Sequence, residues 1–317
     1  MLRPLGWLYG RITNLRNSLY DRGVFKSHSL GARTISVGNI TTGGTGKTPL
    51  VAYVAELLAA NGERVCILTR GYGRKSTGRV LVSDGETVLV DAIEGGDEPV
   101  ELGRRLIGKA TVVADADRVS AAKWAKAKFD VTTFVLDDGF QHRRAERDLD
   151  IVCIDATKPF GFLREPLHNL SRADAIVLTR ADLIDTHHLL EQIRTQSPDA
   201  PAFQAEYRLR SLASINPIAD AFAFCGIGNP KAFLIMLERE GLNSKNSVAF
   251  RDHHDYTQDD IDRVESKARE SGCRALITTQ KDFVKVEDLK FSLPCMVAKI
   301  DVVISDPDAF RDLVLSA

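Results

Sequence analysis

Five cysteines in 317 residues are few, and none forms a Cys-x-x-Cys pair. Cys66, Cys153, Cys225, Cys273 and Cys295 are scattered. That spacing excludes a disulfide framework or a thiolate zinc site and fits small buried side chains in a reducing compartment. Charge of one sign is also lacking. The formal net charge is −1, which argues against a protein that coats nucleic acid. No apolar run approaches the roughly 20 residues that cross a bilayer. Internal repeats and low-complexity tracts are absent as well. What remains is ordinary globular material, 44% hydrophobic and 27% charged, enough for one large domain or two smaller ones.

The N-terminal segment carries an apolar stripe at helical spacing: Leu5, Leu8, Ile12, Leu15 and Leu19. Trp7, Tyr9 and Tyr20 lie nearby, with Arg3, Arg11, Arg16, Arg22 and Lys26 around them. Such a helix suits either a membrane interface or an ordinary amphipathic packing role. It lacks the small-residue cleavage site of a signal peptide.

Beyond it, strand-like and helix-like runs alternate. This predicts an α/β fold with a parallel sheet covered by helices on both faces. Expected strands are Thr34–Val37, Arg64–Leu68, Ala110–Val113, Thr133–Leu136, Leu149–Ile154 and Ala175–Leu178. We expect four segments: an N-terminal helix over 1–30, a nucleotide-binding domain over 31–203, a linker over 204–219, and a smaller α/β unit over 220–317.

The most informative stretch is Gly43-Gly44-Thr45-Gly46-Lys47-Thr48, between an apolar strand and a helical run. Glycines let successive N–H groups face an anion. Lys47 can reach the outer phosphates, and the Thr48 hydroxyl is placed for Mg²⁺. The strict phosphate-loop pattern has glycine where this chain has Thr41. Thr42 completes the candidate nucleotide-binding set.

Phe134-Val135-Leu136-Asp137-Asp138-Gly139 is an apolar strand ending in paired carboxylates, the residue type that holds Mg²⁺ beside such a loop. Adjacent side chains diverge on a strand, so one of the two meets the metal. Gly95-Gly96-Asp97-Glu98-Pro99 offers two acids before a helix, either catalytic or simply capping. Arg74, Arg118, His142 and Arg164 lie where strand ends and loops gather, which fits a phosphorylated substrate. Asp252-His253-His254 places a histidine beside acids, without the spacing of a helical zinc pair. Thr279-Gln280-Lys281-Asp282 either touches the site or caps a helix.

Taken in order, several motifs resemble the tetraacyldisaccharide 4′-kinase family, the lipid A 4′-kinases. They are Ser36-Val37-Gly38-Asn39, the phosphate loop, Arg70-Gly71-Tyr72-Gly73, Gly96-Asp97-Glu98-Pro99, Asp117-Arg118 and Asp137-Asp138-Gly139-Phe140-Gln141-His142. Leu163-Arg164-Glu165-Pro166, Gly226-Ile227-Gly228-Asn229-Pro230 and Asp252-His253 complete the set. The resemblance implies ATP and Mg²⁺ as cofactors and a lipid A precursor, a tetraacyldisaccharide 1-phosphate, as acceptor at its 4′-hydroxyl. It implies peripheral attachment to the cytoplasmic face of the bacterial inner membrane through the N-terminal helix; we expect a monomer with no nucleic-acid partner. It makes Asp97 the base, assisted by His253, with Lys47 on the phosphates. Thr48, Glu98 and Asp138 are then metal candidates, and Arg74, Arg118, His142 and Arg164 substrate contacts. The chain departs from the family in the short run from Phe160-Gly161-Phe162 into Leu163, in Gln280, and in His254. The competing readings are an ATPase or GTPase switch at the membrane and a membrane-bound scaffold with a vestigial nucleotide site.

Overall fold

The computed structural model describes residues 3–210, 220–243 and 245–317. In chain order the strands are β1 (Arg33–Asn39), β2 (Val65–Thr69), β3 (Val80–Ser83), β4 (Ala110–Ala114), β5 (Thr133–Asp137), β6 (Leu149–Asp155), β7 (Ala175–Thr179), β8 (Ala202–Leu209), β9 (Ala221–Cys225), β10 (Ser247–Ala249), β11 (Ala275–Thr279), β12 (Cys295–Ala298) and β13 (Ile300–Ile304). The helices are α1 (Arg3–Asp21), α2 (Lys47–Ala60), α3 (Ala92–Gly95), α4 (Asp97–Arg105), α5 (Arg118–Phe129), α6 (His187–Gln196), α7 (Pro230–Arg239), α8 (Gln258–Glu270), α9 (Gln280–Val286) and α10 (Pro307–Ser316).

A nine-stranded sheet runs β13-β8-β7-β6-β1-β5-β2-β4-β3, and a four-stranded sheet runs β10-β9-β11-β12. The large sheet is parallel except at its edges, where β3 and β13 pair antiparallel. Its central strands are buried along their whole length because helices cover both faces. The two-residue side-chain period divides the core. Ile35, Val65 and Ile67 pack with α2 on one face, whereas Cys66, Leu68 and Phe134 pack with α5 on the other.

Two stretches differ from the expected division. Residues 202–209 form the paired strand β8, not linker, and 211–219 lie outside the described residues. The end of the chain leaves the smaller unit. Val302 and Ile304 alternate inward on β13, which pairs with β8, and Phe310 of α10 packs with the α2 core. The apolar alternation of Ile300, Val302 and Ile304 needs a large sheet to bury it.

α1 presents an inverted pattern over its described side chains. Its polar residues Thr13 and Asn17 are buried, while Ile12 and Leu15 are 58% and 64% exposed. Asn17 Nδ2 donates to Glu165 Oε2 at 3.1 Å. Val24, Phe25 and Phe162 are exposed too. The side chains of Leu5, Trp7, Leu8 and Tyr9 lie outside the described residues. Among the described residues no helix is long and apolar enough to cross a membrane.

Candidate active site

The phosphate loop joins β1 to α2, and its shape is set from behind. Arg180, Thr179 and Tyr207 donate to the carbonyls of Gly44, Thr45 and Gly46 at 3.0, 2.8 and 2.6 Å. A trans peptide points its N–H opposite to its C=O. Pinning these carbonyls therefore turns the amides of Gly46 and Lys47 toward the open side, at the positive end of α2. Gly46 has φ 78°, and a Cβ there would lie 2.3 Å from the Tyr207 hydroxyl. Only glycine fits both the conformation and the space. Tyr207 was not anticipated from sequence, because nothing near it in the chain signals a partner 161 residues away.

The small sheet closes on this loop. A Cβ on Gly228 would meet the Gly44 nitrogen at 2.6 Å. Asn229 caps α7 and donates to Asp155 Oδ2 at 3.0 Å, the carboxylate that also takes Arg180 at 2.5 Å. Between the sheets lies a cleft whose lining includes the charged or polar Lys47, Thr48 and Glu98 and the apolar Ile227, Phe233 and Met236. A lining of both kinds suits a triphosphate and a flat ring.

The paired acids divide their work. Asp138 has φ 57°, and its two oxygens face Lys47 at 2.7 Å and Arg164 at 2.5 Å. Burial would raise its pKa, but these cations hold it down at about 2. Asp137 ends β5 with Oδ2 accepting from Thr69 at 2.9 Å, while its buried Oδ1 has no hydrogen-bond partner. Burial, with Glu98 and Asp138 nearby, pushes its pKa up to about 6. Its free oxygen, close to the charges of Lys47 and Glu98, suits a hard cation that needs only one or two carboxylates. The sequence left the choice between the two acids open; here Asp138 has both oxygens in ion pairs, whereas Asp137 keeps one oxygen without a partner.

Asp97 opens α4 but does not cap it. Its Oδ1 accepts from the Glu98 amide at 2.9 Å, and its Oδ2 lies 2.9 Å from His253 Nδ1. The carboxyl is 7% exposed. Burial would raise its pKa, yet His253, Lys281 and Lys285 together keep it below the ordinary value. The Asp97 hydrogen bond raises the His253 pKa, against burial and the charge of Lys281. His253 has φ 57° and packs edge-on to Tyr72. Its neighbour His254 serves structure instead, stacked on Phe250 and bonded to Asp260. Glu98 is engaged by Lys281 at 2.9 Å.

The expected substrate contacts separate. Arg118 is buried, with its charge near Asp137 and Asp138, and burial lowers its pKa. His142 lies near Arg118; burial and that charge push its pKa down to about 4. Arg164 joins this group through Asp138. Arg74 does not. It donates to the carbonyls of Ala114 and Gly78 and so braces its own loop. Thr42 sits on the rim, its amide donating to the Phe162 carbonyl at 2.7 Å. Four of the five cysteines are buried and all are free.

Comparison with known proteins agrees with this geometry. The family model for tetraacyldisaccharide-1-P 4′-kinase matches residues 1–317. The tetraacyldisaccharide 4′-kinase of Chlorobaculum parvum is 41% identical over 91% of this chain and 84% of its own length. That of Desulfotalea psychrophila is 38% identical over 98% and 94%. The crystal structure of LpxK from Aquifex aeolicus in complex with ATP superposes with a TM-score of 0.78 at 33% identity, covering 99% of this chain and 98% of that one.

Proposed function

Since the chain belongs to the tetraacyldisaccharide-1-phosphate 4′-kinase family, we propose that its interlobe cleft transfers the γ-phosphoryl group of ATP to the 4′-hydroxyl of the lipid A precursor, with Asp97 as the base. The observation that carries this reading is the Asp97–His253 pair, joined through Lys281 to Glu98 in the lining of the cleft that holds the phosphate loop.

The chemistry follows from charge and placement. The amides of Gly46 and Lys47 and the Lys47 ammonium neutralise the phosphates. Lys47 must leave Asp138 to do so, and Arg164 then keeps that carboxylate paired. The Thr48 hydroxyl and carboxylate oxygens of Asp137, Asp138 or Glu98 would hold the Mg²⁺ that comes with the nucleotide, and the ion would add positive charge there. Among the described residues no cluster of three His, Cys, Asp or Glu forms a metal cage, as expected for an ion that keeps phosphate and water ligands.

At the sugar, the hydroxyl O–H bond breaks as its oxygen bonds to the γ-phosphorus. The bond from that phosphorus to the bridging oxygen breaks, ADP leaves, and the proton passes to Asp97. An ionised carboxylate below its ordinary pKa is a weak base, so its contribution comes from placement in a dry cleft. His142 and Arg164 would meet a ring or 1-phosphate, whereas Arg118 is buried and donates to the carbonyls of Asp115 and Ala116. His142 is neutral there and acts through hydrogen bonding.

Membrane attachment is part of the proposal. The outward apolar residues Ile12, Leu15, Val24, Phe25 and Phe162 would enter the interface while α1 keeps its polar face on the protein. The test is transfer from γ-labelled ATP to tetraacyldisaccharide 1-phosphate in micelles, with and without Mg²⁺, beside Lys47→Ala. Mg²⁺-dependent label in the lipid, lost in the variant, is expected. Label released only as free phosphate would favour an ATPase and overturn the reading.

A further inference from the structure

Lys281 stands in the site without a role in the chemistry above. It lies in the first turn of α9, just after the Thr279 cap. Its ammonium is 2.9 Å from Glu98 Oε1, 3.2 Å from His253 Nε2 and 3.6 Å from Asp252 Oδ1. The side chain is only 14% exposed. Glu98 belongs to the large-sheet side of the cleft, and His253 and Lys281 to the small-sheet side. One buried cation therefore ties both walls to the same imidazole.

The chemistry of the contact is directional. An ammonium has three donors and no acceptor. Here it has two carboxylate partners, Glu98 and Asp252. A nitrogen facing that ammonium at 3.2 Å must accept. In a neutral imidazole, Nε2 accepts only when Nδ1 carries the hydrogen, and Nδ1 is the atom facing Asp97. The other tautomer would aim Nε2–H at Lys281, with Asp252 Oδ1 3.9 Å away. It would also turn a lone pair on the Asp97 carboxylate. With the ammonium gone, Asp252 is left to draw the ring toward that arrangement.

We propose that Lys281 is a positioning residue for phosphoryl transfer, holding the His253 ring as the Nδ1–H tautomer that bonds Asp97 and linking it to Glu98 across the cleft. The proposal rests on the assignment of Asp97 as the base. It also gives a role to Thr279-Gln280-Lys281-Asp282, which the sequence left as either touching the site or capping a helix. Lys281 is committed to the catalytic pair. Asp282 is fully buried, accepting from the Gly226 amide at 3.0 Å and from the Tyr256 hydroxyl at 3.0 Å.

The test compares full-length Lys281→Met, which keeps the length without a donor, and Lys281→Gln, which keeps an N–H donor without charge. Two quantities are read: kcat with both KM values, and the His253 tautomer from ¹⁵N–¹H spectra. A misassigned tautomer costs a serine protease about 10⁴ in kcat; here the ring supports the base, so a smaller loss is expected. Lys281→Met should lower kcat by about tenfold to hundredfold with each KM within about threefold, and the Nε2–H form should appear. Lys281→Gln should retain the Nδ1–H form and recover most of kcat.

A Lys281→Met enzyme with kcat within about threefold of the parent, or with an unchanged tautomer, overturns the proposal, as does a rise in KM alone. If Lys281→Met does not fold, Lys281→Gln decides: a kcat loss of about tenfold or more with the Nδ1–H form intact contradicts the tautomer role. Asp97→Asn, assayed in parallel, separates the two claims. Full turnover in Asp97→Asn removes the base assignment and this proposal with it. A normal Lys281→Met beside an inactive Asp97→Asn removes the Lys281 proposal alone.

Discussion

His253 Nδ1 lies 2.9 Å from Asp97 Oδ2 although 156 residues separate them. One residue stands in a left-handed turn after β10, the other at the start of α4 on the opposite wall. The contact joins the large-sheet side of the molecule to the small-sheet side.

Replacing His253 should therefore weaken catalysis without abolishing nucleotide binding. His253→Asn is expected to lower kcat by about tenfold to hundredfold, less than loss of the base itself, with the KM for ATP nearly unchanged. Steady-state kinetics against both substrates checks this. An unchanged kcat would disconnect the histidine from the chemistry.

The phosphate loop depends on a residue outside it. Tyr207→Phe removes the donor to the Gly46 carbonyl. A buried acceptor left without its partner costs about 1–3 kcal/mol. We expect a lower melting temperature and a KM for ATP raised severalfold, because the amides of Gly46 and Lys47 lose their fixed aim. Calorimetry and kinetics on one preparation test both; no change in either would mean the loop holds its shape unaided.

His142 makes stability pH-dependent. Its pKa falls from 6.5 to about 4 on folding, through burial and then the charges of Arg118 and Arg147. Between those values the unfolded chain binds the extra proton, so stability rises with pH across the window. The contribution is fully present above 6.5 and is lost as pH falls toward 4. Urea midpoints at pH 7 and pH 5 should differ less in His142→Asn than in the parent. Equal differences would show that His142 does not titrate in this way.

The outward face of α1 predicts a separable membrane function. Ile12→Glu with Leu15→Glu places two charges on exposed positions without touching the inward Asn17. Binding to anionic vesicles should fall by about tenfold or more, while turnover of micellar substrate stays within about threefold of the parent. Vesicle sedimentation reads the first and the transfer assay the second. Undiminished binding would move the attachment surface elsewhere.

Some of this was legible in the sequence. The strand–loop–helix around Lys47 is local chemistry, and the buried parallel strands announce themselves as apolar runs. β3 and β13 do not, because they are short edge strands defined by partners far along the chain. Asp97 and His253 were nominated as base and helper through family motifs, since spacing alone favoured capping for Asp97. Tyr207 escaped notice, and the parts played by Asp137 and Lys281 stayed open, for a shared physical reason. Each is ordinary among its sequence neighbours and acquires meaning from contacts made across the fold. Arg74 shows the converse, a cation in a suggestive loop that spends its donors on nearby carbonyls.

The most direct test of the central claim is single-turnover transfer by Asp97→Asn, with γ-labelled ATP and the lipid acceptor at saturation. The account predicts ATP binding close to that of the parent and transfer slowed by about 10²–10⁴, the range credited to a general base. Transfer within about threefold of the parent would contradict it and leave the 4′-hydroxyl without its assigned proton acceptor.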